Sequence, residues 1–247
     1  MYKFLFFLFF FQNILLSNSK LVHVVVALCD NKTQGIVKVG QKIGDGNKPN
    51  ENLYWGAEYG IKSFFKNSKN WTLLKSEKDL NSILLERILF KHNKTETYLL
   101  ADAYRGSQIK KALEDYFKYT LDKYPKNEFL NNYNLQKSQK LIAYIGHNGL
   151  MDFSIEQNFE FNEPKESIAL ACYSKKYFKP FLKEKTEPIL FTNGLLAPEA
   201  YILEAALESW IQTSKKESIH LNASKAYSKF QKCSLKAAKN LFSTKFE

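Results

Sequence analysis

Apolar runs alternate with amphipathic segments along most of the chain. Leu21 to Cys29 is a valine-rich apolar run with His23 as its one polar residue, which is typical of a strand buried on both faces. Shorter apolar runs predict further strands at 98–104, 141–145, 168–171 and 188–192, and helical spacing predicts helices at 53–66, 108–123, 175–183, 198–213 and 219–242. The pattern at 71–75 and 83–90 fits either a strand or a short helix.

This alternation predicts an α/β fold, a three-layer α-β-α sandwich with a mostly parallel central sheet. The crossover connections of such a sheet are right-handed, so the C-terminal ends of the strands share one edge, where ligands and catalytic groups collect. The C-terminal helices are expected from about residue 198, with Pro198 in the favoured first helical position.

Residues 1–19 have the pattern of a secretory signal peptide. Lys3 precedes the apolar run 4–11, and small polar residues follow at 17–19. The run is shorter than the roughly 20 apolar residues that a membrane span needs. We therefore expect an exported protein, periplasmic or secreted, with a single domain over 20–247 and no stable membrane insertion after the signal is removed. The alternative is an uncleaved N-terminal anchor, because the exit lacks the usual A-x-A cleavage pattern.

Charge and cysteine content narrow the function classes. The net charge is +11, but the lysines are scattered and arginine is scarce, so the charge indicates a solvated surface and no nucleic-acid partner is expected. The three cysteines, Cys29, Cys172 and Cys233, are an odd number, which leaves at least one thiol either free or paired between chains and excludes a disulfide scaffold.

The polar residues that follow the predicted strands carry the candidate chemistry. They are Asp30, Arg105, His147, Cys172 and Asn193. The set contains one nucleophile and one base. Cys172 lies between a strand and a helix predicted to start near Lys175, so the positive end of that helix and a nearby imidazole would activate the thiol. Taken singly, a cysteine is often a small buried apolar residue, as expected for Cys29, and a lone histidine is often a loop residue.

The segments around these two residues resemble a known signature. One apolar strand runs into Gly146-His147-Asn148-Gly149, and a second runs into Ala171-Cys172. The pairing is similar to the His-Gly and Ala-Cys motifs of the caspase, legumain, gingipain and separase superfamily of cysteine peptidases, with gingipain-like members the nearest in pattern. Asn148 stands between the histidine and the glycine, and 25 residues separate His147 from Cys172.

The resemblance implies roles for individual residues. Cys172 would attack an amide carbonyl and His147 would protonate the leaving amine, while the loop with Asn148 and Gly149 would supply an oxyanion donor beside the backbone N–H of Cys172. Candidates for specificity or for orienting these groups are Asp30, Arg105, Asp152, Asn193 and Glu199. The acidic members would favour a basic substrate side chain and Arg105 an acidic one, and the pattern does not choose between them.

No cofactor or metal is expected. The glycines at 40–46 lack the strand-loop-helix context of a nucleotide loop, and His147 with Cys172 supplies too few ligands for zinc. The expected partner is a peptide or protein substrate. Two alternatives stay open: a catalytically inactive member of the fold acting as an exported binding protein, and another cysteine-type amide hydrolase such as a transamidase.

Overall fold

The chain folds around one eight-stranded sheet with helices on both faces. The computed structural model describes residues 19–126, 128–156 and 158–247. The strand order is β2-β3-β4-β1-β5-β6-β7-β8. The predicted three-layer α/β architecture is confirmed. All but the last residue of the predicted signal peptide lie outside the described residues.

The strands have these bounds: β1 Lys20–Ala27, β2 Trp71–Lys78, β3 Leu84–His92, β4 Thr97–Tyr104, β5 Gln139–Ile145, β6 Lys165–Leu170, β7 Thr186–Thr192 and β8 Phe242–Ser243. The five central strands, β4, β1, β5, β6 and β7, are parallel to one another. The β2–β3 hairpin extends one edge in antiparallel register, and the short β8 closes the other edge against β7. The parallel core brings five C-terminal strand ends to one edge.

The helices have these bounds: α1 Ile61–Asn67, α2 Ile109–Leu121, α3 Glu128–Asn131, α4 Ser174–Leu182, α5 Ala200–Gln212, α6 Lys216–Gln231 and α7 Leu235–Leu241. The apolar residues of α1, α5 and α6 pack in the cluster on one sheet face, and those of α2, α3 and α4 pack in the cluster on the other. In the described part of the chain, no helix has both the length and the apolar content to cross a membrane.

Strand β1 shows why the sheet is buried on both sides. Its side chains alternate between the two faces, as the period of a strand requires. Val22, Val24 and Val26 belong to the cluster under α5, whereas Val25 and Ala27 belong to the cluster under α2. Each face is covered by helices, so residues 21–27 are buried at every position rather than at alternate ones, and the one polar residue among them, His23, is paired with Asp102.

Three helix predictions were wrong in extent. Within 53–66 only the segment from Ile61 is helical, and residues 53–60 form turns instead. The side chain of Asn52 anchors the start of these turns, because it bonds both the N–H and the C=O of Cys29. Pro198 lies before α5 rather than within it. Glu199 is extended, and the N–H of Ala200 donates to the backbone carbonyl oxygen of Tyr59.

The C-terminal segment is also not one continuous helix. Lys232 adopts a left-handed conformation with φ 52°, which ends α6. Ser234 then caps α7 by accepting a hydrogen bond from the N–H of Ala237 at 3.1 Å. After α7 the chain forms the two-residue strand β8, which the apolar pattern did not predict.

The connection from β5 to β6 contains no α-helix. A single 3-10 turn, Gly149–Met151, follows β5, and the described residues from 153 to 164 form no strand or hairpin. The short crossover accounts for the 25-residue spacing noted in the sequence.

Candidate functional site

His147 and Cys172 follow two neighbouring strands at the C-terminal edge of the sheet. They follow β5 and β6, which are neighbouring parallel strands. The register pairs Ile145 with Leu170, and each candidate residue comes two positions later in its own chain segment. Beyond the paired strands, the side chain of Asn148 bonds the carbonyl oxygen of Cys172 at 2.6 Å, which ties the two segments together as they leave the sheet.

Gly146 turns the chain out of the sheet immediately before the histidine. Its φ of +149° is a conformation that residues with a side chain rarely adopt. A Cβ at this position would also come within 2.9 Å of the carbonyl oxygen of Ala27. Glycine is required here because the end of β5 approaches the backbone of β1 so closely.

The imidazole of His147 is held by Asp152. Nε2 of His147 lies 2.7 Å from Oδ2 of Asp152, and the histidine is only 8% exposed. An ionised carboxylate can only accept a hydrogen bond, so Nε2 carries the proton. In the neutral ring this leaves Nδ1 with a free lone pair, and Nδ1 has no hydrogen-bond partner among the described residues.

Asp152 is itself fixed by a distant loop. The backbone N–H of Gly35 donates to the same Oδ2 atom at 3.0 Å, across 117 residues of sequence. On the other side of the histidine, the hydroxyl of Tyr144 donates to the carbonyl oxygen of His147 at 2.7 Å. The ring and the backbone of His147 are therefore both anchored, which limits the rotation of a base that needs a fixed direction.

Asn148 connects the two strand ends. Its side chain is fully buried, its Nδ2 donates to the carbonyl oxygen of Cys172 at 2.6 Å, and its Oδ1 accepts from the N–H of Leu150 at 3.2 Å. The residue that interrupts the His-Gly pattern is thus a bridge between the histidine loop and the cysteine loop. Gly149 completes the turn by donating its N–H to the carbonyl oxygen of His147 at 3.1 Å.

The thiol of Cys172 is partly exposed and faces the loop after β7. The N–H of Leu196 donates to Sγ at 3.4 Å, and Sγ lies 3.6 Å from the carbonyl oxygen of the same residue. Tyr173 follows in a left-handed conformation with φ 51°, and α4 begins at Ser174. A bulky residue in that conformation is strained, and such strain is common at functional sites.

The other two cysteines have different surroundings. All three thiols are free. Cys29 is completely buried, and burial raises the pKa of its thiol to about 11 even though Tyr54 hydrogen-bonds to it. Cys233 is partly exposed in the link between α6 and α7. Cys172 is therefore the only cysteine of the three that combines exposure with a position at the sheet edge.

Two of the predicted polar residues lie on the same edge but are engaged elsewhere. Asp30 is buried, and its carboxylate accepts from the N–H of Lys32 and the hydroxyl of Thr33, both at 2.9 Å. Arg105 follows β4 and donates to the carbonyl oxygen of Ser82 at 2.9 Å and to the side chain of Asn47. Neither contacts His147 or Cys172.

Two further candidates belong to the C-terminal part of the molecule. Asn193 donates to the carbonyl oxygens of Asn240 and Phe242 at 3.0 and 3.4 Å, which joins the end of β7 to α7 and β8. Glu199 precedes α5, and its carboxylate accepts from Gln231 at 2.9 Å. Burial raises the pKa of Glu199 above its ordinary value. Of the five specificity or orienting candidates, Asp152 is the one that forms a hydrogen bond with His147 among the described residues.

Three contributors to the site carried no signal in the sequence. Gly35 and Leu196 contact the site through their backbone N–H groups, and the type of a residue does not predict such a contact. Tyr54 is a buried loop residue near both Cys29 and Cys172, and burial together with these thiols raises its pKa well above the ordinary value. Within the described residues there is also no group of three or more His, Cys, Asp and Glu side chains placed to bind a metal ion.

Comparisons with protein-family models, with curated proteins and with solved structures found no match to this chain.

Proposed function

We propose that the chain is an exported cysteine peptidase or related amide hydrolase of the caspase, gingipain and legumain type. Cys172 is the nucleophile, His147 is the proton carrier and Asp152 is the residue that orients His147. The observation that carries the proposal is the position of His147 and Cys172 directly after neighbouring parallel strands, with Nε2 of His147 bonded to Asp152 at 2.7 Å.

The chemistry follows from that tautomer. Nδ1 of His147 takes the proton from Sγ of Cys172, and sulfur attacks the carbonyl carbon of the scissile amide. The imidazolium then gives its proton to the leaving nitrogen, so that the amine departs and a thioester remains on Cys172. A water molecule, deprotonated by Nδ1, hydrolyses the thioester to the acid and restores the thiol. Asp152 stabilises the imidazolium through the retained Nε2–H bond.

The oxyanion of the tetrahedral intermediate needs backbone donors. The N–H of Cys172 is the first candidate, as the resemblance implies. Gly149 is the second, but its N–H is bonded to the carbonyl oxygen of His147 at 3.1 Å and would have to leave it when substrate binds. This closed turn is the specific observation that favours the second candidate function, a catalytically inactive member of the fold that acts as an exported binding protein.

Thiol labelling tests which cysteine is reactive. We expect iodoacetamide at neutral pH to alkylate Cys172 first and Cys29 last, because Cys29 is fully buried and its pKa is raised to about 11. Peptide mapping by mass spectrometry over a time course gives the three rates, and the chain unfolded in guanidinium provides the reference in which all three thiols are accessible. Faster labelling of Cys29 than of Cys172 in the folded chain would contradict the assignment.

A further inference from the structure

Large apolar side chains are exposed around the candidate dyad. Among residues 19–126, 128–156 and 158–247, seven such side chains are exposed: Val37, Leu74, Met151, Phe161, Tyr173, Leu195 and Leu235. Four of these, Val37, Met151, Tyr173 and Leu195, lie within two residues of a group that contacts His147, Asp152 or Cys172. We call these four residues the apolar rim.

Hydrogen bonds hold the first half of the apolar rim against the histidine loop. Val37 is two residues after Gly35, whose N–H donates to Asp152 at 3.0 Å. Met151 directly precedes Asp152, and its N–H donates to the carbonyl oxygen of Asn148 at 3.0 Å. Both apolar side chains are therefore carried by segments that are bonded to the residues around the imidazole.

The second half of the apolar rim surrounds the thiol. Tyr173 follows Cys172, and its N–H donates to the carbonyl oxygen of Gly194 at 2.8 Å. Leu195 lies between Gly194 and Leu196, the residue whose N–H contacts Sγ of Cys172 at 3.4 Å. The segments that carry Tyr173 and Leu195 are thus bonded to each other beside the sulfur atom.

Exposure of these apolar side chains to water is unfavourable in free energy, and a ligand that covered them would remove this penalty. Val37 is 91% exposed and Leu195 is 69% exposed, on a chain whose surface charge is dominated by lysine. Exposed apolar clusters on soluble proteins mark binding surfaces, because removing them from water is favourable. Each residue of the apolar rim lies within two residues of a group that contacts His147, Asp152 or Cys172, so a peptide bound at these residues is the group that would cover the rim.

We propose that the apolar rim binds apolar side chains on both sides of the scissile bond of a peptide substrate. This inference rests on the proposed peptidase function. It agrees with the state of the charged candidates for specificity: the carboxylate of Asp30 bonds its own loop, Arg105 bonds Ser82 and Asn47, and Glu199 bonds Gln231. The apolar side chains are left with no such partner in the fold and are free to select substrate.

Cleavage of a peptide library by the full chain tests the inference. We expect kcat/KM for peptides with Leu, Phe or Val beside the scissile bond to exceed that for matched peptides with Lys or Asp by at least about 10-fold. Leu195→Ser should lower kcat/KM on the apolar peptides by about 10-fold more than on matched peptides with Ser at the same positions. The control is Leu74→Ser, the same change at an exposed leucine on the edge strand β2, which should leave every rate unchanged.

The outcomes separate the two proposals. A wild-type chain that cleaves peptides without apolar preference, or equal effects of Leu195→Ser and Leu74→Ser, overturns the role of the apolar rim and leaves the peptidase intact. Sedimentation of Leu195→Ser tests another occupant. If this variant converts a dimer to a monomer and cleavage is unchanged, the surface binds a second copy of the chain, and the proposed role of the apolar rim in binding substrate is wrong. No cleavage of any peptide, with no covalent trapping of Cys172, overturns the proposed peptidase function instead.

Discussion

The Cys172→Ala variant is expected to lose amide-hydrolysing activity by at least about 10³-fold while keeping its fold. The lost thiol is small and partly exposed, so the change creates little cavity. His147→Ala should reduce kcat by about 10²- to 10⁴-fold, the usual contribution of a general acid or base. Because the two groups act as one unit, the double variant should be little worse than either single variant.

A matched substitution controls for the loss of a thiol. Cys233→Ala removes a partly exposed thiol between α6 and α7 and should leave kcat unchanged. The measurement is cleavage of a peptide library by mass spectrometry, with circular dichroism and thermal unfolding as checks on the fold. Equal cleavage by wild type and Cys172→Ala would show that the peptidase hypothesis is wrong, and it would favour a binding function for this fold.

The second large effect concerns stability rather than catalysis. Asp102 on β4 is fully buried, and its two carboxylate oxygens accept from Nε and Nη2 of Arg87, each at 2.6 Å. Nε2 of His23 lies 3.0 Å from the same carboxylate, and the hydroxyl of Tyr124 lies 2.6 Å from Nδ1 of His23. Removing the charge of one partner in a buried, hydrogen-bonded ion pair leaves the charge of the other partner, here Arg87, uncompensated. We expect Asp102→Asn to reduce the free energy of unfolding by about 3–5 kcal/mol.

The pH dependence of this effect follows from the carboxyl group. Burial alone would raise the pKa of Asp102, but the hydrogen bonds and charge of Arg87, with a contribution from His23, hold it well below the ordinary value. A carboxyl with a depressed folded pKa stabilises the fold above its unfolded pKa, about 4, and loses that contribution as the pH falls towards the folded pKa. The difference between wild type and Asp102→Asn should therefore be largest near neutral pH and shrink below about pH 4.

Urea unfolding at pH 7 and at pH 3.5 measures both parts of this prediction. The control is Asp79→Asn, the same change at an exposed residue whose φ of 51° suits asparagine equally well. It should change the free energy of unfolding by no more than about 0.5 kcal/mol. If Asp102→Asn unfolds as Asp79→Asn does, the buried ion pair contributes no net stability and the account of this network is wrong.

The sequence was sufficient to predict the parallel core of the sheet and the edge at which His147 and Cys172 lie. Continuous apolar runs such as 21–29 mark strands buried on both faces, and alternation with helices requires parallel strands whose ends meet. The positions of His147 and Cys172 at neighbouring strand ends follow from that topology alone. The signal for β2 was weaker because an edge strand is covered on fewer sides and carries mixed residues, as the alternating burial of Trp71–Lys78 illustrates.

What the sequence did not reveal depends on contacts between distant segments. Asp152 was one of several acidic candidates until the bond from Gly35, 117 residues away, and the bond to His147 distinguished it. Asn148 was read as an interruption of a motif, whereas its buried side chain joins two loops. Local patterns cannot encode such pairings, because either partner alone is an ordinary loop residue. The break of the C-terminal helix at Lys232 is similar, since lysine carries no preference for a left-handed conformation.

The most direct test of the central claim is covalent trapping of the nucleophile with a substrate-like electrophile. A pool of peptidyl acyloxymethyl ketones is incubated with the full chain, and intact mass followed by peptide mapping locates the adduct. The account predicts one thioether per chain, formed by Cys172 as the carboxylate leaving group departs, and a rate lower by about 10²-fold or more in His147→Ala. No adduct at Cys172, or an adduct that forms equally fast without the imidazole of His147, would contradict it.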